Sequence, residues 1–506
     1  MLVLAAFAWR IHGLAWQSLW RDEVDAVYFA TRDLAATLAM FTSPGQNGPL
    51  YFVALRPWFW LVGTSEFALR YPSVWGGALA VALTWQVARR LLPLMPDGAG
   101  QFPAWAAAAL LAANPYQVWY AQEGKMYAVL TALVLFAHWW WLEGIRVGGW
   151  RPWLAYWLTV TLGLYIHLLT ILLFPLHLLW FWLAWPQSRR HWRGVALALG
   201  GLTLPYLPMV WWQWNMLTAT VKMTGFSFTP PLEMIRTLAL NHGQGFLPPG
   251  DPVWAAPLLF LVAAGALLGP GESATTQRGL TLAPWRRYGL AVTWVVAPVV
   301  AIYLLSLRQP IFTDRYVIWI APALTMLMAL GAAVVWRYGG RLGPLLTVGL
   351  VVYVTGYWLV AGWQQKTDTV KYDLRDGVTY VATRRGVPPG PDDLLILQIP
   401  HLEWAYRYYT SDFGPRPFDD SDSRLGAWRP GLWTNQGLGD DQARTDVDRQ
   451  MQTLTAGYAT VWVLRSEVEM WDRRQLMDEW LAGHGVVVDR ADFHGVQVRA
   501  YRLDAR

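Results

Sequence analysis

The sequence has no cysteine in 506 residues. That excludes disulfides, thiolate zinc sites and cysteine nucleophiles, and leaves the redox compartment open. Charge is scarce too. Charged residues make up 15% of the chain, against about 25% in soluble proteins. Lysine is nearly absent: only Lys125, Lys222, Lys366 and Lys371 stand among 40 basic residues. The bias to arginine reads as genome composition. It does not read as nucleic-acid binding, because no basic stretch is interleaved with stacking aromatics in a soluble segment. Internal repeats and heptad arrays are absent as well.

What fills the space is apolar. Hydrophobic residues account for 55% of the chain and 35 are tryptophan, a residue that favours the lipid–water boundary. Mean hydropathy is +0.25. Together these indicate an α-helical polytopic membrane protein. A spanning helix needs roughly 20 mostly apolar residues, and about eleven runs qualify. They lie near 1–16, 72–88, 103–115, 126–143, 153–168, 169–186, 195–212, 253–269, 288–306, 316–336 and 344–362. The first run is short and holds Arg10 and His12. No small-residue cleavage site follows it, which argues against a signal peptide. An upstream start, with part of the first helix missing, is the other reading.

Arginines in short loops set the orientation. With a cytoplasmic N-terminus, the inner connections hold Arg89, Arg90, Arg146, Arg151, Arg189, Arg190, Arg193, Arg278, Arg286, Arg287, Arg337 and Arg341. The short outer turn after Tyr165 holds none. Beyond the membrane domain, 1–365, the pattern changes. Residues 366–506 are polar, with strand-like runs at 394–399, 460–465, 486–490 and 496–503 and helix-like segments near 402–409 and 470–482. This predicts a small C-terminal α/β domain. An odd number of spans puts it outside the cytoplasmic membrane.

The unusual polar residues then gather on the outer face. Asp22, Glu23 and Asp25 lie in the first outer loop, 17–71, with Gln46 and Asn47. Gln122, Glu123, Lys125 and Tyr127 lie in the next outer turn. His167 closes the fifth run, and Arg308, Asp314, Arg315 and Tyr316 precede the tenth. Each piece has a structural reading of its own. Ser18 caps a helix whose first turn holds Asp22 and Glu23, where carboxylates favour the dipole. Glu123 and Lys125 are turn charges, His167 sits at the headgroups, and Arg315 is an interfacial anchor. Asn47-Gly48-Pro49 is turn chemistry. Their joint placement at one membrane surface is what points to a site, because ionisable groups there are costly. On a helix Asp22 and Asp25 share a face, while Glu23 is rotated by roughly 100°. Asp22 and Glu23 are therefore expected to do different jobs.

A sugar on a polyprenyl phosphate needs such a set. Its tail lies in lipid, its phosphate at the headgroups and its sugar in water. The phosphate is already a good leaving group, so the acceptor needs a base and the phosphate a cation. The carboxylates on offer are Asp22, Glu23 and Glu123, and the cations Lys125, Arg308 and Arg315.

In order, SLWRDEVDAVYFA, NGPLYF, SEFALRYPSVWGGALA, NPYQVWYAQEGKMYAVL and FTDRYVIWIAPALTMLMALG resemble the bacterial membrane glycosyltransferases of the C superfold (GT-C). These are relatives of the dolichyl-phosphate-mannose–protein mannosyltransferases and of the lipid A aminoarabinose transferase. The resemblance covers roughly residues 10–365, with weaker similarity in the tail. It implies an Asp-Glu pair in the first outer loop, with Asp22 as base or acceptor-positioning group and Glu23 beside it. The second motif usually reads Tyr-Ser-Gln-Glu-Ala-Arg-Met-Tyr; here Lys125 replaces the arginine, keeping charge but losing the bidentate fork. Asn47 stands where relatives often have histidine, so it supplies no imidazole. Some relatives use a divalent metal near the acids; no diagnostic ligand spacing appears here, and a metal is left open.

The reading is an inverting glycosyltransferase that moves a sugar from a polyprenyl-phosphate donor to a glycan, lipid or protein acceptor. Asp22, Glu23 and Glu123 are the catalytic candidates. Lys125, Arg315, Tyr127, Gln122, Asn47 and His167 are the substrate-binding candidates. A flippase for lipid-linked sugars and a non-catalytic scaffold of envelope assembly are the alternatives; repeated halves with broken midplane helices, the mark of many transporters, are not seen. Single cysteines introduced as Asp22→Cys and Lys125→Cys into this cysteine-free chain should both react with an impermeant maleimide from the outside of intact cells. Labelling from opposite sides would defeat the topology.

Overall fold

The computed structural model describes residues 1–42, 48–92, 94–95, 100–214, 218, 226–247, 256–268, 282–385, 392–399, 402–410, 439–468 and 474–504. Gln46, Asn47 and Arg278 lie outside the described residues. The chain divides into two compact units. One comprises Met1–Leu14, Leu34–Leu55 and Arg70–Thr367; the other Ala15–Asp33, Arg56–Leu69 and Asp368–Arg506.

The first unit is helical, as lipid demands: backbone groups must be satisfied within the segment where water is absent. Among the described residues, each apolar run of the sequence falls largely on helix. Five helices among the described residues are long and apolar enough to cross a membrane: Tyr127–Val147, Arg189–Trp212, Trp285–Ser306, Asp314–Tyr338 and Gly340–Thr367. Leu2–Ile11, Phe102–Ala113, Leu168–Leu183 and Ala256–Leu268 are apolar but shorter. One early helix is longer than expected and another was not expected. The helix expected at 72–88 runs from Glu66 to Leu91, with Pro72 inside it; the proline reads as a helix start in sequence, yet the chain is already helical before it. An unexpected helix, Pro49–Val62, occupies the first outer loop.

Polar groups knit the apolar helices. Arg10 is buried and donates to the carbonyls of Leu111 and Ala112 at 3.2 and 3.0 Å, closing the C-terminal end of helix Phe102–Ala113. Tyr156, His177 and His138 form a chain across three helices, with both links 2.8 Å. Small residues let two other helices touch. A Cβ at Gly265 would meet the Leu327 carbonyl at 1.9 Å, and one at Gly331 would meet that of Leu261 at 2.0 Å. Helices Ala256–Leu268 and Ala321–Tyr338 therefore approach backbone to backbone.

In the second unit a four-stranded sheet has the order β1-β2-β4-β3, with β1 (Asp393–Leu397) parallel to β2 (Thr460–Ser466). Strands β3 (Gly485–Phe493) and β4 (Val496–Leu503) form an antiparallel hairpin. Gly495 turns it at φ +67° with the Tyr372 ring packed where a side chain would stand. Alternation sends Val461 and Val463 to one face, onto Val447, Met451 and Trp480 of helices Asp440–Thr455 and Leu476–His484. Helix Leu374–Arg385 covers Leu464 and Val496 through Gly377 on the other. The four strands match the expected runs to within a few residues, whereas helices Leu374–Arg385 and Asp440–Thr455 were not expected.

Gly331→Val should force the paired helices apart, because the atoms it meets are backbone. The detergent-solubilised variant is expected to lose its monodisperse elution peak or melt several degrees lower. Gly356→Ala, whose Cβ meets nothing within 4 Å, should behave as wild type.

Candidate active site

In the first unit the polar groups converge on Asp314. Asn114 begins the build. Its side chain accepts from Gln117 N at 3.0 Å, capping helix Pro115–Ala121, and its amide donates to His242 O at 2.9 Å. The capped helix directs Tyr116 to Asp314, the hydroxyl donating to Oδ2 at 2.7 Å. Asn241 donates to the same oxygen at 2.7 Å. Gln117 donates to Ile318 O at 3.1 Å, fixing the turn that carries Asp314 and Arg315. Two segments far apart in sequence thus hold one carboxylate on a third.

Beside it lie four of the nine expected residues, Glu123, Tyr127, His167 and Arg315. Tyr120, fully buried, stands within electrostatic reach of Asp314, Glu123, Arg315 and Tyr127. Burial, then the charges of Asp314 and Glu123, push its hydroxyl well above the usual tyrosine range, so it stays a neutral donor. Glu123 is buried at 1% exposure. The Arg315 guanidinium lies 5.7 Å over the Tyr127 ring. His167 packs edge-on against Tyr316 at 4.8 Å, and its Nδ1 accepts from Leu169 N at 3.3 Å. That leaves Nε2 as the protonated nitrogen, buried and without a hydrogen-bond partner among the described residues. Lys125 holds its ammonium 5.6 Å over Phe52, and its carbonyl accepts from the Ser73 hydroxyl at 3.0 Å. Gln122 donates to the carbonyls of Arg10 and His12 at 2.7 and 2.8 Å. Its amide is thus committed to the first helix. The contacts that build this cluster do not include Arg308.

Sequence reasoning missed His242 and Asn241. His242 packs edge-on against Tyr116 at 4.6 Å. Burial lowers its imidazole to about 4 against the opposing charge of Asp314, so it is neutral at pH 7. Neither ring nitrogen has a hydrogen-bond partner among the described residues. His242 and Asn114 stand at the wall of a cavity of about 360 Å³ that is otherwise almost wholly apolar, lined by Leu238, Leu258, Val262, Val296, Leu324 and Met328 among others. Polar cluster and apolar cavity share these two residues.

The acid pair belongs to the second unit. Helix Arg21–Thr31 starts after Trp20 and has no side-chain cap. Ser18 is therefore not its cap; its hydroxyl instead accepts from Arg375 N at 3.0 Å. The helix parts the acids as its period requires. Asp22 and Asp25 are half-buried, whereas Glu23 is fully buried. Glu23 pairs with Lys371 at 2.9 Å, their side chains 0% and 4% exposed. Asp22 lies 3.9 Å from Arg21. Around the start of the helix, the Tyr409 hydroxyl accepts from Leu19 N at 2.8 Å and donates to Glu66 at 2.7 Å. Arg375 completes the ring, reaching Glu66 at 3.1 Å and the carbonyls of Ala15 and Gln17 at 3.0 and 3.2 Å. No group of three His, Asp or Glu side chains converges as a metal site among the described residues.

No protein-family model matches the sequence, and no curated protein does. Solved structures do. ArnT from Cupriavidus metallidurans in the apo state superposes with TM-score 0.58 at 14% identity, over 99% of this chain and 97% of that one. The same protein bound to undecaprenyl phosphate gives 0.53 at 15%, with the same coverage. The Archaeoglobus fulgidus oligosaccharyltransferase, in complex with Zn and sulfate, gives 0.56 at 13%, over 99% of this chain and 73% of that one. The fold is that of the GT-C membrane glycosyltransferases. Within that fold the likeness to ArnT runs nearly end to end, while the oligosaccharyltransferase is longer.

Removing one partner of a buried ion pair strands the other, at a cost of about 3–5 kcal/mol. Lys371→Met should destabilise the protein by about that amount. Glu23→Leu in the same chain should restore most of the loss, read as recovery of the melting temperature in detergent.

Proposed function

We propose that the protein is an integral membrane glycosyltransferase of the cytoplasmic membrane. In this reading it takes a sugar from a polyprenyl-phosphate donor, at the outer face, and passes it to a glycan, lipid or protein acceptor. The observation that carries the proposal is the polar cluster around Asp314 adjoining an apolar cavity through Asn114 and His242. Such a ligand is amphipathic: a long apolar chain with one charged head. The GT-C fold supports the same reading, and the similar ArnT binds undecaprenyl phosphate.

Arg315 is the proposed holder of the lipid phosphate, with a planar fork suited to it. Its place against Tyr127 keeps the fork oriented. The neutral N–H groups of His242 and His167 and the hydroxyl of Tyr120 add donors without adding charge. Lys125 is kept as a second cation at the phosphate. Glu123 is proposed to orient the sugar or acceptor.

Asp22 is the proposed base. It takes the acceptor proton as the acceptor oxygen or nitrogen attacks C1 and the phosphate leaves with the C1–O electron pair. One in-line displacement inverts the anomeric configuration. Glu23 has a different role, because its carboxylate is spent on Lys371. It is proposed as a positioning residue that fixes the helix carrying Asp22. The α/β domain, 366–506, together with the loop segments packed in the same unit, is proposed to shape acceptor access.

The test is a reconstituted transfer assay with a polyprenyl-phosphate sugar. Asp22→Asn should cut turnover by roughly 10²–10⁴-fold while donor binding persists. Arg315→Gln should weaken donor binding by about ten- to a hundredfold, the range for a hydrogen bond to a charged group. The product should be inverted at the anomeric carbon. Flux of lipid-linked sugar without covalent transfer would defeat the enzyme reading and favour a flippase.

A further inference from the structure

A second binding site lies elsewhere in the membrane unit. Helix Tyr127–Val147 begins beside Glu123 and Lys125 and ends at Val147. Its 21 residues carry the chain roughly 30 Å, at 1.5 Å per residue. After Gly148 and Gly149 the chain turns into helix Trp150–Ile166. A groove of about 650 Å³ opens there, between that helix and helix Trp192–Gly201. It is thus at the far end of the spanning helix from the Asp314 cluster.

The groove has two kinds of wall. Its mouth is made by Arg190, His191 and Arg193. Both arginines are exposed, and neither has an ion-pair partner among the described residues. The flanking stretches 148–165 and 184–205 hold four arginines and not one Asp or Glu. The floor is apolar. A Cβ at Gly194 would meet the Trp153 indole nitrogen at 2.1 Å, and one at Gly201 would meet that of Trp157 at 3.1 Å. Two indoles therefore pack directly against two glycines and give the groove an aromatic floor. Leu154, Leu197 and Leu204 form its rim, at 43%, 77% and 71% exposure.

We propose that this groove binds an anionic glycerophospholipid. The phosphate sits between Arg190 and Arg193, and an acyl chain lies over the tryptophan-and-glycine floor. Basic pockets between membrane helices on the cytoplasmic side take anionic headgroups in this way. A soluble anion would leave the apolar floor and its rim unused. A zwitterionic lipid would bring a cation to a mouth that already holds two arginines and no acid. The positive-inside orientation puts the site in the inner leaflet. There the lipid bridges the two helices that wall the groove, and it should stabilise them.

The test uses the full-length protein in detergent, with phosphatidylglycerol, phosphatidylcholine and undecaprenyl phosphate as probes, read by native mass spectrometry and thermal melting. Wild type should retain phosphatidylglycerol in preference to phosphatidylcholine and melt at a higher temperature with it. Arg190→Gln with Arg193→Gln should weaken that retention roughly 25-fold, about fivefold for each cation. Arg190→Lys with Arg193→Lys should keep most of it. Both side chains are exposed, so the changes spare the fold; the melt of the lipid-free variant checks this. Equal retention of the two phospholipids, or unchanged retention in the glutamine variant, overturns the proposal. Tighter retention of undecaprenyl phosphate, with phosphatidylglycerol displaced, also overturns it and marks a carrier-lipid site. Displacement of the phospholipid by millimolar inorganic phosphate alone would reduce the site to an anion site and overturn it too. None of these outcomes depends on the transfer assay, so the lipid site and the enzyme reading fail separately.

Discussion

One carboxylate organises the membrane unit. Asp314 accepts hydrogen bonds from Tyr116 and Asn241, both at 2.7 Å, and so ties three distant stretches of chain together. A carboxylate beside apolar helices is tolerable only when its lone pairs are occupied by well-placed donors. The arrangement also fixes its neighbour. Arg315 follows Asp314 directly, so whatever holds the one aims the other. The cavity next to Asn114 and His242 inherits its polar end from the same residues.

The second unit solves a different problem. The chain from Ala15 to Asp33 must hold an acid-rich helix steady although that helix has no cap of its own. Side chains from much later in the chain do this. Lys371 neutralises Glu23, Arg375 gathers the carbonyls of Ala15 and Gln17, and Tyr409 satisfies Leu19 N. Tyr28, on that helix, stacks at 3.8 Å on Trp404 of helix Leu402–Thr410. The two neighbouring acids then diverge in chemistry because the helical period turns one inward and leaves the other half-exposed. A buried pair of this kind adds little net stability against an apolar substitute. What it supplies is a fixed rotation of the helix, and so a fixed direction for Asp22.

Much of this was legible in the chain. The apolar runs fall on helices because a stretch of such length has no other way to satisfy its backbone in lipid. The strands of the tail were legible from short β-branched runs such as VVVDR. Helix Asp440–Thr455 escaped because it is mostly polar, although Ala443, Val447, Met451 and Thr455 mark its buried stripe at four-residue spacing. Helix Pro49–Val62 escaped because apolar sequence in an assumed outer loop suggested no element. Among site residues, acids and bases announced themselves by rarity. Asn241 and His242 did not, since a lone Asn-His pair on an amphipathic helix looks like surface. Lys371 carried one usable signal: it is one of four lysines in a chain of arginines. Nothing local joins it to Glu23, because the two stand 348 residues apart.

Scarcity of charge alone does not identify a functional cation, and the structure shows why. Several basic groups serve the backbone. Arg10 closes the end of one helix through Leu111 and Ala112. Arg70 donates to Leu14 O at 2.9 Å, and Arg56 to the carbonyls of Ala30 and Arg32 at 3.0 and 2.7 Å. Lys366 reaches the carbonyls of Trp9 and His12. Helix ends leave carbonyls unsatisfied, and a membrane protein has little water to satisfy them. Arginine is well suited to the task, with several donors on one planar head. The discriminating feature is therefore what the cation faces. Arg315 lies over the Tyr127 ring in the cluster around Asp314; Arg190 and Arg193 line a groove with an aromatic floor. In each case a cation meets apolar or aromatic surface, the pairing that the proposed anionic lipids would satisfy.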